Sequence, residues 1–464
     1  MIAHARLDSL AHSVAHFCFL MHSRKSIARA LATSFVAGTL DEDDLVRRGE
    51  RVLAKRWRWL GLMARRLAQA CAGKARPRKA TIEKWILRDR GFCNAYERHD
   101  LCVVSLIDDR PIMRPIEVAK PWGVRPLCTA GELAEWLGLP ICELDWLADL
   151  RKLLANPCSP IVRHYRYRAL SKKHGRFRLI EAPKARLKEI QRRILAEILA
   201  HIPSHEAAHG FRRGRSIVTF ATPHVGSEVV IKLDLEDFFP SIPVAQVRAM
   251  FRSIGYPEAV ADLLSGLCTT LAPLDELSQI IRRAKETGAD AEMARQMRKY
   301  AQPHLPQGAP TSPAIANLCA YRMDCRLAGL AEAVGAKYTR YADDLVFSGD
   351  GEFRREAKRF AIHAAAIILE EGFAAHHRKT RIMTQGVRQR VAGMVVNQQL
   401  NLSREDFDRL KATLTNCIRH GPRSQNRTAR ENFRSHLEGR VSYFEMIAPG
   451  KGGRLRALFD RICW

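Results

Sequence analysis

Tyr341-Ala342-Asp343-Asp344 sets two adjacent carboxylates between the β-prone runs Lys337-Tyr338-Thr339-Arg340 and Leu345-Val346-Phe347, the pattern of a hairpin with acids at its tip. Adjacent acids also suit a solvated turn, so this group alone decides nothing. A second group changes the balance: Val229-Val230-Ile231-Lys232-Leu233 reads as a buried strand ending in Asp234, with Leu235-Glu236-Asp237-Phe238-Phe239 following. Two acid-tipped strand ends from distant stretches have the parts to share one metal site. Phosphoryl transfer of the two-metal kind uses carboxylates from different elements to hold ions about 3.5–4 Å apart.

Other clusters carry less. His205-Glu206-Ala207-Ala208-His209 satisfies the His-Glu-x-x-His pattern of zinc proteases, which needs both imidazoles on one helix face. Pro203 before it and Gly210 after it argue against such a helix, and His209 is expected to pack internally. Asp41-Glu42-Asp43-Asp44 opens a helical run, where acids complement the macrodipole, and reads as helix-start chemistry. The 12 cysteines include no Cys-x-x-Cys pair and several fall in apolar helical runs, as reduced core residues of a cytoplasmic protein do.

The elements that must position these groups sit in a chain of 464 residues with a net charge of +27, whose natural partner is a polyanion. No apolar stretch approaches the roughly 18 residues needed to span a bilayer, so no membrane segment is expected. Residues 1–150 are basic and mainly helical in pattern, with Trp interleaved among Arg and Lys near Trp57 and Trp59. That mixture suits either nucleic-acid contact or the outer face of an ordinary bundle. Thr129 and Glu132 form a capping-box signature for the first of two short helices, compatible with a helix-turn-helix. Tyr165–Ile180 reads as a hairpin with a basic tip at Lys172–Arg176, followed by a helix over Leu187–Ile202. Residues 275–302 read as a solvated helical insertion, Arg354–Glu371 as a helix stopping at Gly372, and Val391–Asn397 as a further strand.

Taken in order, Asp234-Leu235-Glu236-Asp237-Phe238-Phe239, Leu305-Pro306-Gln307-Gly308-Ala309-Pro310-Thr311-Ser312-Pro313 and Tyr341-Ala342-Asp343-Asp344 resemble three successive palm motifs of reverse transcriptases. Ala208-His209-Gly210-Phe211, Ser216-Ile217, Lys379-Thr380-Arg381 and Leu437-Glu438-Gly439-Arg440 extend the likeness from about residue 165 to the end, and it is most similar to the retron type. The resemblance implies an α+β right-hand polymerase fold after the helical N-terminal region: fingers and palm with an antiparallel sheet over 151–385, and the palm end with a helical, RNA-binding thumb over 386–464. It implies an RNA-directed DNA polymerase using two Mg²⁺ ions, held by Asp234, Asp343, Asp344 and the main-chain carbonyl of Leu235.

By the same resemblance Phe239 crowds a ribose 2′-hydroxyl, or else simply packs in the core. Gln307 and Gly308 line the nucleotide pocket, and Arg178 reaches the triphosphate. Lys379 either meets the leaving pyrophosphate or is a surface lysine. Arg212, Arg213, Arg215, His224 and Arg390 contact nucleic acid. The implied partners are a structured noncoding RNA as template and primer, nascent DNA, deoxynucleoside triphosphates and an effector protein, with a role in defence against phage. Two segments depart from the retron pattern: Phe220 stands where Asn is usual, and Ala392 where Thr is usual. They keep open the abortive-infection and group II intron lineages, and a non-catalytic RNA-binding protein on the same fold is the remaining alternative.

Overall fold

The computed structural model describes residues 23–72, 77–104, 111–153, 162–171, 177–285 and 296–464. They form two compact units: described residues up to Arg151 with Ala245–Leu267, and Lys152–Val244 with Cys268–Trp464.

In the first unit, α1 (Arg24–Ala37), α2 (Glu42–Leu53), α3 (Arg58–Cys71), α4 (Lys79–Arg88) and α5 (Arg90–Arg98) enclose a core that includes Leu31, Phe35, Leu45, Leu60, Met63, Ile86 and Phe92. The acid run does begin a helix. Asp41 caps α2 by accepting the Asp44 N–H at 2.9 Å, while Asp44 is buried and ion-paired to Arg47 and Arg48. These bonds outweigh its burial and hold its carboxyl well below the usual carboxylate range. At α6 (Ala130–Leu137), ahead of α7 (Ile141–Ala148), Thr129 accepts the Glu132 N–H at 3.1 Å. The Glu132 carboxylate takes the N–H of Cys128 rather than that of Thr129, so the reciprocal bond is displaced by one residue.

Ala245–Leu267, carrying most of α10 (Val244–Ile254) and α11 (Glu258–Cys268), joins this unit through main-chain bonds, Arg114 N–H to Gly255 O at 2.8 Å among them. Gly255 has φ 113°, and a Cβ there would stand 2.4 Å from Pro115 N. Only glycine fits both the conformation and the approach.

In the second unit, β1 (Tyr165–Ser171) and β2 (Phe177–Pro183) pair antiparallel from Tyr165↔Pro183 to Ser171↔Phe177, and the basic tip 172–176 lies outside the described residues. Next come α8 (Ala185–Glu197), a 3₁₀ turn at Leu199–His201, and the short α9 (Ile217–Ala221), begun by a capping box between Ser216 and Thr219. The stretch 275–302 departs from the solvated insertion expected of its charge. At its start, α12 (Leu274–Lys285) buries Leu277, and at its end Gln296, Met297 and Tyr300 are buried. Phe177 packs on Tyr300, with centroids 5.4 Å apart, and Phe177 O accepts from Gln296 Nε2. Tertiary packing claims both ends; residues 286–295 are outside the described set.

The central sheet is antiparallel in the order β4 (Lys337–Tyr341), β5 (Asp344–Gly349), β3 (Val229–Asp234), β6 (Arg381–Thr384). Because side chains alternate along a strand, its two faces separate cleanly. Tyr338, Leu345 and Phe347 lie on the face that meets α14 (Tyr321–Glu332), which follows α13 (Ser312–Cys319), and α15 (Gly351–Glu370); Phe347 touches Phe360 with ring centroids 5.0 Å apart. Val230 and Val346 lie on the other face. They share a core with Leu410 and Leu414 of α16 (Arg404–His420), Val441 and Phe444 of α17 (Phe433–Ile447) and Leu455 of α18 (Pro449–Phe459). Val391–Asn397 is not one strand but contains the hairpin β7 (Arg390–Val391) and β8 (Met394–Val395), because Ala392 and Gly393 both take positive φ, the two-residue turn favoured between antiparallel strands. No helix among the described residues is long and apolar enough to cross a membrane.

The sheet edge is closed by a buried ion pair. Arg340, fully buried, donates from Nε and Nη2 to the two Asp324 carboxylate oxygens at 2.7 and 2.6 Å, and Tyr338 OH donates to the same group at 2.8 Å. Asp324→Leu, which strands the guanidinium without a counter-charge, is expected to lower the unfolding free energy in denaturant titrations by about 3–5 kcal/mol. Adding Arg340→Met to that variant is expected to recover most of the loss.

Candidate active site

β3 and β5 pair so that Asp234 stands opposite Asp344, and paired residues share a face. Tyr341 pairs with Asp344, which leaves Ala342 and Asp343 as the two turn residues between β4 and β5. Ala342 has φ 54°, a left-handed conformation that costs a non-glycine residue roughly 1–2 kcal/mol. A linked set of contacts holds it. Arg340 Nη1 donates to Ala342 O and to Asn317 Oδ1, each at 3.1 Å, and Asn317 Nδ2 donates to Gly210 O at 2.9 Å. Gly210 presses its backbone on the turn so closely that a Cβ would lie 2.7 Å from Ala342 N. On the open side, the Leu235 N–H donates to Asp343 O at 2.8 Å. A strand residue sends its N–H and C=O to one side, so the Leu235 carbonyl also faces the turn.

The three aspartates feel one another. Burial, then the charges of Asp234 and Asp344, push the Asp343 carboxyl above the usual carboxylate range, and Lys379 only partly offsets them. Lysines engage the other two acids: Lys379 Nζ donates to Asp234 at 2.8 and 3.0 Å, and Lys232, two residues before Asp234 on the same face, reaches Asp344 at 2.9 Å. Among the described residues no group of three or more His, Cys, Asp or Glu side chains stands close enough to hold a metal ion. The donor types nevertheless suit a hard divalent cation: Asp234 at the end of β3 faces Asp344 at the start of β5, and Asp343 stands in the adjoining turn. Asp237 does not join them. It turns away at φ 47°, where its carboxylate accepts from Gln296 Nε2 at 2.8 Å.

The neighbouring aromatic residues divide by role. Phe238 is buried against Phe373 and the Arg340 guanidinium, whereas Phe239 is only half-buried, 6.4 Å by ring centroids from Phe211, which is itself 6.1 Å from Tyr341. Core packing falls to Phe238 and leaves Phe239 toward the acid turn.

Gln307 and Gly308 dock on β2: Glu181 N–H donates to Gln307 O at 2.8 Å, and Gly308, at φ 133°, would bring a Cβ to 3.1 Å from Glu181 O. The Glu181 carboxylate, fully buried, accepts from His304 Nε2 at 3.0 Å, while His304 Nδ1 donates to Gln302 O at 2.7 Å. With an acceptor at each nitrogen the ring is an imidazolium. Burial alone would push its pKa down, but Glu181 and the Gln302 carbonyl outweigh it and raise it. Arg178 is exposed on the same strand β2.

The residues assigned to nucleic acid separate. Arg213 and Arg390 are exposed. Arg215 pairs with Glu206, and Arg212 donates inward to the carbonyls of His205 and Ala208 at 2.8 and 3.1 Å, bracing the segment beside the turn. His224 must be reassigned: it is fully buried, between Ser348 Oγ and Thr339 Oγ1, each at 2.7 Å. Thr339 donates onward to Phe220 O, so His224 carries its proton on Nε2 and accepts at Nδ1. Burial pushes its pKa down to about 3, and it cannot touch a ligand. His205 and His209 lie outside any helix, and His209 bonds Thr219.

A family described as reverse transcriptase (RNA-dependent DNA polymerase) matches residues 170–409, more than half of the chain and the whole of this site. The chain belongs to the retron-type reverse transcriptases. It is 43% identical over 303 residues to the retron Mx65 reverse transcriptase of Myxococcus xanthus, covering 63% of this chain and 64% of that protein. It is 35% identical over 353 residues to the retron Mx162 reverse transcriptase of the same organism, covering 72% and 67%. To the retron Ec86 reverse transcriptase of Escherichia coli it is 31% identical over 288 residues, covering 60% and 79%.

Positions that reasoning from sequence missed are the supporting ones: Arg340, Asp324 and Asn317 at the turn, Lys232 beside Asp344, and the Glu181–His304 pair under Gln307. The raised His304 pKa sets a pH dependence of stability for this reverse transcriptase. The pair contributes fully below the unfolded histidine value of about 6.5 and is lost as pH rises through the higher folded value. Melting temperature is therefore expected to fall over that upper window in the parent chain, and His304→Gln is expected to flatten the slope.

Proposed function

We propose that this chain is an RNA-directed DNA polymerase that copies part of a partner noncoding RNA into DNA. The observation that carries the reading is the convergence of Asp234, Asp343 and Asp344 where β3 meets the β4–β5 turn. In this reading the four-stranded sheet is the palm, the β1–β2 hairpin belongs to the fingers, and α16–α18 form the thumb. Asp234, Asp343, Asp344 and the Leu235 carbonyl would hold two Mg²⁺ ions, which supply charge neutralisation at the primer 3′-hydroxyl and at the departing pyrophosphate.

The chain's own residues do the positioning. Phe239, backed by Phe211, takes the place where a deoxyribose fits and a 2′-hydroxyl is crowded. Gln307 and Gly308, pinned to β2 through Glu181, form the opposite wall. Arg178 reaches triphosphate oxygens with forked hydrogen bonds. Lys379, already beside the acids, meets the pyrophosphate charge as it leaves. Arg213 and Arg390 track phosphates, supported by the net charge of +27. No disulfide joins the described cysteines, which supports a cytoplasmic setting. The likeness to retron reverse transcriptases motivates the wider reading, in which a structured RNA would be both template and primer and an effector protein would act in defence against phage.

Two variants test the reading. Asp343→Asn is expected to reduce nucleotide addition on a primed RNA by about 10²–10³-fold or more, the scale of losing one transition-state charge contact, while RNA affinity stays close to the parent; near-parental activity would contradict the site. Phe239→Ala is expected to raise ribonucleotide incorporation relative to deoxynucleotide in single-nucleotide extension assays.

A further inference from the structure

A second feature, within the N-terminal helical unit, has the chemistry of a ligand site. A cavity of about 600 Å³ opens between α3, α4 and the start of α5, lined by Trp59, Leu62, Arg66, Trp85, Arg88 and Arg90 with Asp89 and Gly91. Both indoles are half-buried: they pack on the unit's core and also line the cavity.

The charges are arranged unevenly. Asp89, the cavity's single acid, is saturated internally: one oxygen accepts the Phe92 N–H at 3.0 Å, and the other accepts Arg66 Nε and Nη2 at 3.0 and 2.7 Å. Arg88 and Arg90 are exposed and carry no ion pair among the described residues. Two positive groups are thus left at the rim above two aromatic walls.

We propose that this cavity binds single-stranded nucleic acid, taking one unstacked base against Trp59 and Trp85 and the flanking phosphates on Arg88 and Arg90. A cavity of this size accepts a nucleotide. Indole walls provide stacking that tolerates any base, and the guanidinium pair supplies the backbone contacts. An acidic peptide would satisfy the arginines but leave the aromatic walls unused. The proposal needs none of the polymerase acids.

The test uses the full chain and a short oligouridylate carrying 4-thiouridine, irradiated and mapped by mass spectrometry. Crosslinks are expected on peptides containing Trp59 or Trp85. Arg88→Gln with Arg90→Gln is expected to lower their yield and the probe's affinity about tenfold, and to flatten the log-log salt slope by about 1.4, two contacts at roughly 0.7 each. Trp85→Leu is expected to weaken binding with the slope unchanged. Crosslinks confined to other peptides, or equal affinity in the folded arginine variant, would overturn the proposal. So would loss of polyglutamate binding in that variant while oligouridylate binding persists, since that would assign the cavity to a protein partner. Nucleotide addition on an unrelated primed template reports separately on the polymerase reading.

Discussion

One buried cation organises the candidate active site. Arg340 has no contact with solvent, and its fork reaches the Asp324 carboxylate, the Asn317 amide and the carbonyl of Ala342. A lone guanidinium in this position would be strongly destabilising; the paired one fixes the side chain in a single orientation. That orientation holds the left-handed Ala342, and Ala342 in turn sends Asp343 and Asp344 toward Asp234. The main chain of Arg340 also bonds the Ala207–His209 segment in a single parallel bridge, through Arg340 N–H to Ala207 O and His209 N–H to Arg340 O, both at 2.7 Å. Fold and site are therefore coupled through one side chain.

Around this point the molecule places charge with and against solvation. The charges of Asp234 and Asp344 act on the buried Asp343 carboxyl, and Lys232 and Lys379 pair with Asp344 and Asp234. Elsewhere Ser227, Ser348, His224, Thr339 and Phe220 O form one hydrogen-bonded chain across the sheet. Phe220, one of the two departures from the usual retron pattern, sits fully buried in this region with its ring 5.7 Å from that of Tyr341. Its role there is packing behind the site. Ala392, the other departure, occupies a positive-φ turn position.

What was legible from sequence follows the reach of local patterns. The β3 run, the acid-tipped hairpin and the cap at Asp41 depend on neighbours a few residues away, and alternation or capping chemistry reveals them. The Arg340–Asp324 pair depends on a helix and a strand packing together, and nothing in Tyr321–Glu332 distinguishes Asp324 from a surface acid. The resemblance implies a nucleic-acid contact for His224; its burial comes from Ser348 and Thr339, more than a hundred residues on. The charge of 275–302 suggested a solvated helix, yet Tyr300 and Gln296 are taken up by β2. The gathering of Ala245–Leu267 with the N-terminal helices combines main-chain bonds around Gly255 with the Glu258 carboxylate on Lys79 N–H and Tyr256 OH on Arg125 O, partners more than a hundred residues away in sequence.

The central claim is that the Arg340 fork, rather than its charge alone, sets the turn that brings the carboxylates together. Titration calorimetry of Mn²⁺ into the parent chain and into Arg340→Lys tests it most directly. Lysine keeps the charge toward Asp324 but cannot reach Asn317 and Ala342 O together. In an Arg340→Lys protein that still unfolds cooperatively, the account predicts Mn²⁺ binding weakened about tenfold, equivalent to about 1.4 kcal/mol. Unchanged Mn²⁺ affinity in that folded variant would contradict it.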